Sequence, residues 1–552
     1  MVKRFRDQAI FWHNLWKDCG RPDNSWVADI RRFTRFNYHE AVRKMKRNQD
    51  RLKREKVADK LRYGSPAQFW NEINAIHTEP VIMSSEIDGK TGIDACNIFK
   101  EKYKVLYNEQ REGSLHNLLL KSKMDINQYC KKYHCNNDSH LHHVTLLMVC
   151  EAVKLLKKGK RDDASNIYTD AFVEAPKKLH LYISFLLTIM LHHGLTEDIF
   201  NLILFSPLVK KKRKNIADSD NYRAIALNSS LCKILDYVLI NYFSNIFKSS
   251  DYQFAYKKDF STSLCSFNVI ETIQYYKSRG SRVISTLLDC SKAFDKVRFS
   301  RLFKILIDRG LCPLVARLLM LMYSNIVARI KWNNDYSSKF KINNGVKQGG
   351  VLSPLLFTLY IDELISRIRL SGIGCYIGRI CSAIFVYADD IILLSPTRKA
   401  MQSLLNICEQ FGEEFGLTYN PSKCEVLIFG DRIDVDLTLC NNILKIVDRA
   451  KHLGHYLCNT NNIFSLSTVI TDIKVRTNVI MSQFNCLSYD SRVKIFNSNC
   501  SSYYGSNLCN LTSSEMMDLD RTWRVCSRKI LGIHTRTHSC MIPHLMSTLP
   551  HL

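Results

Sequence analysis

The sequence predicts an α+β fold, and three stretches carry that expectation. Residues 384–394 read IFVYADDIILL, two β-prone runs flanking a tripeptide tight enough for a hairpin. Residues 282–297 read RVISTLLDCSKAFDKV, a β-prone run that ends at Asp289 and gives way to a turn and a helical pattern. Helix signals bracket these strands. Residues 39–62 hold no Pro or Gly, and beyond about residue 460 the pattern is mostly helical, with few of either.

The bulk properties bound what such a chain does. At 552 residues and 46% hydrophobic content it has material for several packed units. A formal charge of +26 and a sequence pI of about 9.3 give it a positive field suited to a polyanion, either nucleic acid or an anionic membrane surface. The longest apolar run, LYISFLLTIML at 181–191, is far short of the roughly 20 residues a spanning helix needs and reads as a buried helix, so no membrane partner is expected. The start, MVKRFRDQAIFWHNLW, has no sustained apolar core and does not read as a secretory signal. Twenty cysteines without paired short spacings read as thiols in a reducing compartment. CKKYHCNNDSHLHH at 130–143 matches no usual zinc-finger spacing and reads as a polar loop.

From the start of the chain, the first 62 residues hold 18 Lys and Arg against 8 Asp and Glu, a local charge of +10, and form a basic helical arm. Such an arm is either a solvated helix or a contact for a nucleic-acid backbone. LLMVCEAVKLLKK at 146–158 has apolar residues at helical spacing and is followed by a basic loop. A second basic run, SPLVKKKRKNIADSDNYRAIAL at 206–227, lies between two strand signals, and Arg223 in the second strand is placed to grip phosphates. In NNGVKQGGVLSPLLFTLYIDEL at 343–364, Gly345, Gly349 and Gly350 permit close backbone approach to a ligand, and Ser353–Pro354 reads as N-cap and first turn of an apolar helix.

The carboxylates raise the chemical question. Asp289 sits at the carboxyl end of a strand, where it either serves a site or caps the next helix. Asp389 and Asp390 sit at a hairpin tip that, taken alone, is as readily an acidic tip in water. If hairpin and strand are neighbours, three like charges converge, and they need cations; oxygen donors of this kind suit Mg²⁺. Two such ions, roughly 3.5–4 Å apart, support in-line phosphoryl transfer, which is nucleotidyl transfer or phosphodiester hydrolysis.

With these segments in order the chain resembles the reverse transcriptases of non-LTR (LINE-type) retrotransposons, most like the CR1/jockey-like group. DCSKAFDKV, GVKQGGVLSPLLF and YADD look like polymerase motifs A, B and C. PLVKKKRKNIADSDNYRAIAL and DYQFAYKKDFSTS look like the two fingers motifs, GLTYNPSKCEVLIF like motif D and AKHLGHYL like motif E. The resemblance implies a right-hand polymerase fold: an antiparallel palm sheet bearing the aspartates, fingers, a helical thumb, and the basic arm in front. The expected layout is arm and linker at 1–80, an extension leading into the fingers at 81–195, fingers and palm at 196–458, and a thumb-like region at 459–552.

Residue by residue, the resemblance implies that Asp289 and Asp389 bind two Mg²⁺ with Asp390 in support. It places Lys210 or Lys211 and Arg223 on the triphosphate and Phe294 against the 2′-OH of a ribonucleotide. The alternative for that position is a core phenylalanine on a helix. Gln348 and Gly349 would line the nucleotide and template track, and Lys423 would protonate departing pyrophosphate. The implied activity is RNA-directed DNA polymerisation, with an RNA template, a DNA primer and dNTPs as partners, synthesis in the cytoplasm and action in the nucleus. No endonuclease motif is expected in the chain. The alternatives are a catalytically silent nucleic-acid-binding remnant and a group II intron maturase. The sequence departs from the family at Ala224, where Pro is usual, at Ala255, where Gly is usual, and at RDDASN (161–166), where many members have a Gly-rich stretch.

Overall fold

The computed structural model describes residues 2–63, 68, 86–108, 143–162, 167–210, 215–431, 436–459, 463–485, 487–500, 503, 505–508 and 514–546. Lys211 with the remainder of the basic run to residue 214, most of the histidine–cysteine stretch at 130–143 and residues 163–166 of RDDASN lie outside them. The chain divides into two compact units, one of residues 83–465 and one of residues 1–82 with 466–552.

The larger unit is built on two sheets. In the first, strand Val283–Asp289 lies between Asp390–Ser395 and Glu425–Phe429, antiparallel to both; Ile384–Tyr387 extends one side and Lys445–Ile446 the other. The residues explain the placement. VISTLLD is buried along nearly its whole length, as a strand covered on both faces must be. Helices Thr262–Lys277, Ser353–Leu370 and Arg398–Phe415 pack against this sheet. The first and third of these helices are started by hydroxyl caps, Ser261 accepting from the Leu264 N–H and Thr397 from the Ala400 N–H. The second sheet runs Phe340–Lys341, Val327–Trp332, Leu202–Val209, Tyr222–Leu227, with the middle pair parallel. Helix Gly92–Leu106 packs on it through Phe99 and Tyr103, whose rings meet Trp332, Tyr222 and Phe205.

Three local expectations change. Ser353 is the first residue of helix Ser353–Leu370, not its cap; Leu352 holds the cap position without a side-chain bond. The apolar run 181–191 lies in helix Lys177–His193, which is buried only on the side of Ile183, Leu187, Met190 and Leu191 and leaves Tyr182, Phe185 and Ile189 more than half exposed. After Asp289 the chain first makes a short 3-10 turn, Ala293–Lys296, before helix Phe299–Asp308.

The other unit is helical. Val2–Asp18 and Trp26–Tyr63 pack together, and the Arg31 guanidinium sits 3.8 Å over the Trp16 ring. Helices Ser467–Phe484, Tyr489–Cys500 and Ser514–Leu531 bury Ile480, Phe484, Phe496 and Trp523 among themselves, and Tyr489–Cys500 also packs on Trp26–Tyr63. Among the described residues no helix is long and apolar enough to cross a membrane.

Candidate nucleotidyl-transfer site

Strand pairing brings the three carboxylates together. Asp289 and Asp390 are direct cross-strand partners, and positions opposed in this way have Cβ atoms roughly 4.5–5.5 Å apart. Tyr387 pairs with Asp390, so the turn itself is Ala388–Asp389 and Asp390 opens the return strand. Ala388 has φ of 57°, left-handed backbone that an alanine adopts only under constraint. The constraint is Gln253, fully buried, whose Oε1 accepts from the Ala388 and Ala255 N–H groups at 3.0 Å each. Backbone bonds from Val386 N–H to the Tyr252 carbonyl and from Phe254 N–H to the Val386 carbonyl dock the same segment along the hairpin.

The electrostatics reflect the crowding. Burial and then the charges of Asp389 and Asp289 push the Asp390 carboxyl up to about 6. Asp389 is raised by burial and by Asp289, and restrained by its own backbone N–H and by the Arg223 guanidinium. Both side chains nevertheless open to solvent on one side. Asp289 is held by Lys423, whose Nζ lies 3.2 Å from Oδ2. The turn carrying that lysine is tied to the same strand end, since Asn420 N–H donates to the Asp289 carbonyl at 2.9 Å. Among the described residues no three His, Cys, Asp or Glu side chains are gathered into a ready metal-binding group. The donor set fits a hard divalent cation all the same: it is oxygen only, and two of its members already hold protons more tightly than a free carboxylate because of burial and the neighbouring carboxylates.

Around the carboxylates lies a basic cluster. Lys210 is depressed by burial and by its neighbours Lys292, Lys102 and Arg223, so four cations share this corner; Asp220, the nearby acid, is engaged by Lys102. Arg223 projects from the exposed side of edge strand Tyr222–Leu227. Its neighbour Ala224 is buried opposite Pro207, an edge position that takes Ala as readily as Pro. At Ala255 the departure from glycine carries no backbone strain, because the left-handed residue is the next one, Tyr256, with φ of 58°.

The glycine loop differs from its expectation. A Cβ on Gly345 would stand 2.6 Å from the Asp295 carbonyl oxygen and 2.8 Å from the Tyr107 ring, one on Gly349 2.9 Å from the Ala226 carbonyl oxygen, and one on Gly350 2.7 Å from Ser353 Oγ. The glycines make room for the protein's own chain. Gln348 is fixed at both ends, its carbonyl accepting from Ala226 N–H at 2.6 Å and its Nε2 donating to Asp295 Oδ1 at 2.8 Å. Phe294 is half-buried, stacked on Phe357 at 4.2 Å, so it is packed against the core and still partly open.

The reverse transcriptase (RNA-dependent DNA polymerase) family matches residues 209–457, the span that holds every residue of this site but Tyr107 and Lys102. That region is a reverse transcriptase domain of the non-LTR retrotransposon type. A Retrovirus-related Pol polyprotein from type-1 retrotransposable element R2 of Popillia japonica is 26% identical over 49% of this chain and 47% of its own length. The RNA-directed DNA polymerase from mobile element jockey of Drosophila funebris is 24% identical over 64% of this chain and 40% of its own. The chain thus spans about half or less of the length of these curated relatives. A solved telomerase from Candida albicans, in complex with a fragment of telomeric RNA, shares 11% identity over 64% of this chain and 66% of that one at a TM-score of 0.39, too slight a likeness to argue from.

Sequence reasoning missed Gln253, Asp295 and Tyr107 of this reverse transcriptase region and its support. Gln253 and Asp295 stand inside quoted motifs, where an uncharged amide amid apolar residues and an acid behind Phe294 were the available signals. Tyr107 carries none.

Proposed function

We propose that the chain is an RNA-directed DNA polymerase that joins a dNTP to a primer 3′-OH on an RNA template. The observation that carries this reading is the convergence of Asp289, Asp389 and Asp390 at one sheet end, where burial and like charge favour a bound cation, beside the basic side chains Lys210, Lys292 and Arg223. Asp289 and Asp389, supported by Asp390, would hold two Mg²⁺ ions; when bound, these neutralise the carboxylates and stabilise the attacking and leaving oxygens. Arg223 with Lys210 or Lys211 binds the triphosphate. Gln348 and Gly349 line the track of the nucleotide and template. The exposed part of Phe294 excludes a 2′-OH, while its stacked part fixes the ring. Lys423 leaves Asp289 when nucleotide binds and gives its proton to the departing pyrophosphate.

In this reading the thumb-like 459–552 region and the 1–80 arm, with its excess of Lys and Arg, follow the template–primer duplex, and the fingers and palm occupy 196–458 behind the 81–195 extension. Cytoplasmic synthesis and nuclear action accord with a template copied into chromosomal DNA.

The test is primer extension on poly(rA)/oligo(dT) with Mg²⁺ and dTTP, beside Asp389→Asn. Incorporation that the substitution abolishes is the expected result. RNA binding without incorporation by the wild-type chain would sink the polymerase reading and leave a silent nucleic-acid-binding remnant.

A further inference from the structure

Tyr107 lies about a hundred residues before the matched region, directly after helix Gly92–Leu106. Yet its hydroxyl donates to Asp295 Oδ1 at 2.6 Å, and both side chains are buried. Gln348 Nε2 donates to that same oxygen at 2.8 Å. The ring of Tyr107 is stacked on Phe205 at 5.2 Å and 11°. Its carbonyl accepts from the Asn343 and Asn344 N–H groups at 3.0 and 3.2 Å, while Asn344 Nδ2 donates to the Asp295 carbonyl at 2.8 Å. Gly345 is the residue whose missing side chain lets the loop close over this pair.

The chemistry of the acceptor has a consequence for the glutamine. An ionised carboxylate accepts hydrogen bonds and donates none. Gln348 must therefore turn its NH₂ toward Asp295, and the other end of the amide, Oε1, is left as an acceptor on the side away from it. Amide orientation is usually ambiguous, but here the partner decides it. Tyr107 supplies the second donor, without which a buried carboxylate holding one amide would be under-satisfied and free to shift.

We infer that Tyr107 and Asp295 are positioning residues that fix the side-chain amide of Gln348, presenting Oε1 to the nucleotide and template track, and that the 86–108 segment is part of the working site. The inference rests on the polymerase reading of the cleft. Neither residue touches the reacting atoms.

The test uses the full chain and steady-state primer extension with varied dTTP. Tyr107→Phe, which keeps the ring and its stacking, should raise KM for dTTP about 5- to 10-fold and leave kcat within about 2-fold. Gln348→Ala should raise it further, and the double variant should be no worse than Gln348→Ala alone, because the hydroxyl acts only through the amide. Additive effects, or wild-type kinetics for Tyr107→Phe, would overturn the inference. If the wild-type chain incorporates nothing, the polymerase reading fails by itself. The relay is then read by hydrogen exchange over residues 343–350: faster exchange in Tyr107→Phe upholds it, and unchanged exchange overturns it.

Discussion

The aspartate hairpin and the glycine loop treat charge in opposite ways. At the hairpin, Asp389 and Asp390 are exposed and, among the described residues, form no ion pair, and burial and mutual repulsion raise their affinity for protons. Around the loop the charges are buried and consumed. Asp295 takes two side-chain donors. Asp236, on helix Ser230–Tyr242, accepts from the Val351 and Leu352 N–H groups and faces Lys347, itself only 7% exposed and 5.7 Å above the Tyr323 ring. The hairpin keeps charge in reserve for something that binds; the loop spends its charge on holding shape. Substitutions at the hairpin should therefore cost activity and little stability, while those at Gly345 and Asp236, which hold the loop's shape without reaching the nucleotide track, should cost stability first.

The largest effect tests the hairpin. Asp389→Asn should lower primer extension by about 10³-fold, with a melting temperature equal to or above that of the wild type because one of the repelling charges is gone. A clear loss of thermal stability would break the contrast. Next is Gly345→Ala. With φ at 91° and no space for a Cβ, it should destabilise by about 2–4 kcal/mol in a urea melt.

The third prediction concerns pH. Burial, with Lys347 and two N–H groups opposing it, pushes Asp236 up to about 6. The folded chain then binds a proton that the unfolded chain releases near 3.9. Its contribution to stability is full below that value and is lost as pH rises through about 6, on the order of 2–3 kcal/mol. Asp236→Asn should flatten this part of the stability–pH curve, and an unchanged curve would show that the carboxylate is not the titrating group. The smallest effect is Ala388→Gly, which should gain about 0.5–1 kcal/mol by relieving left-handed backbone at the hairpin turn. A loss there would mean that Gln253 imposes no strain.

The hairpin was legible because its signals are local. Alternating β-prone residues around ADD, and a strand ending on Asp289, fix both elements from a few neighbours, and one antiparallel pairing then gathers the acids. Arg223 and Lys210 were legible for the same reason, as cations in or beside a strand. The loop was only half legible. Its glycines signal close approach, but the sequence does not say to what, and here the neighbours are Asp295, Tyr107, Ala226 and Ser353. The bond from Tyr107 to Asp295 joins positions 188 residues apart, and no local pattern records such a contact. The run at 181–191 reads as a buried helix from its apolar residues, whereas burial is decided by which faces find partners, and one face stays exposed.

The second sheet has a practical consequence for anyone trimming the gene. The family match opens at residue 209, the last residue of strand Leu202–Val209, which lies between Val327–Trp332 and Tyr222–Leu227. An expression fragment cut at that boundary would split the sheet at its middle and strand Arg223 on an orphan ribbon. A minimal soluble fragment should begin ahead of Glu86, where the recognisable domain has not yet begun but the folded one has.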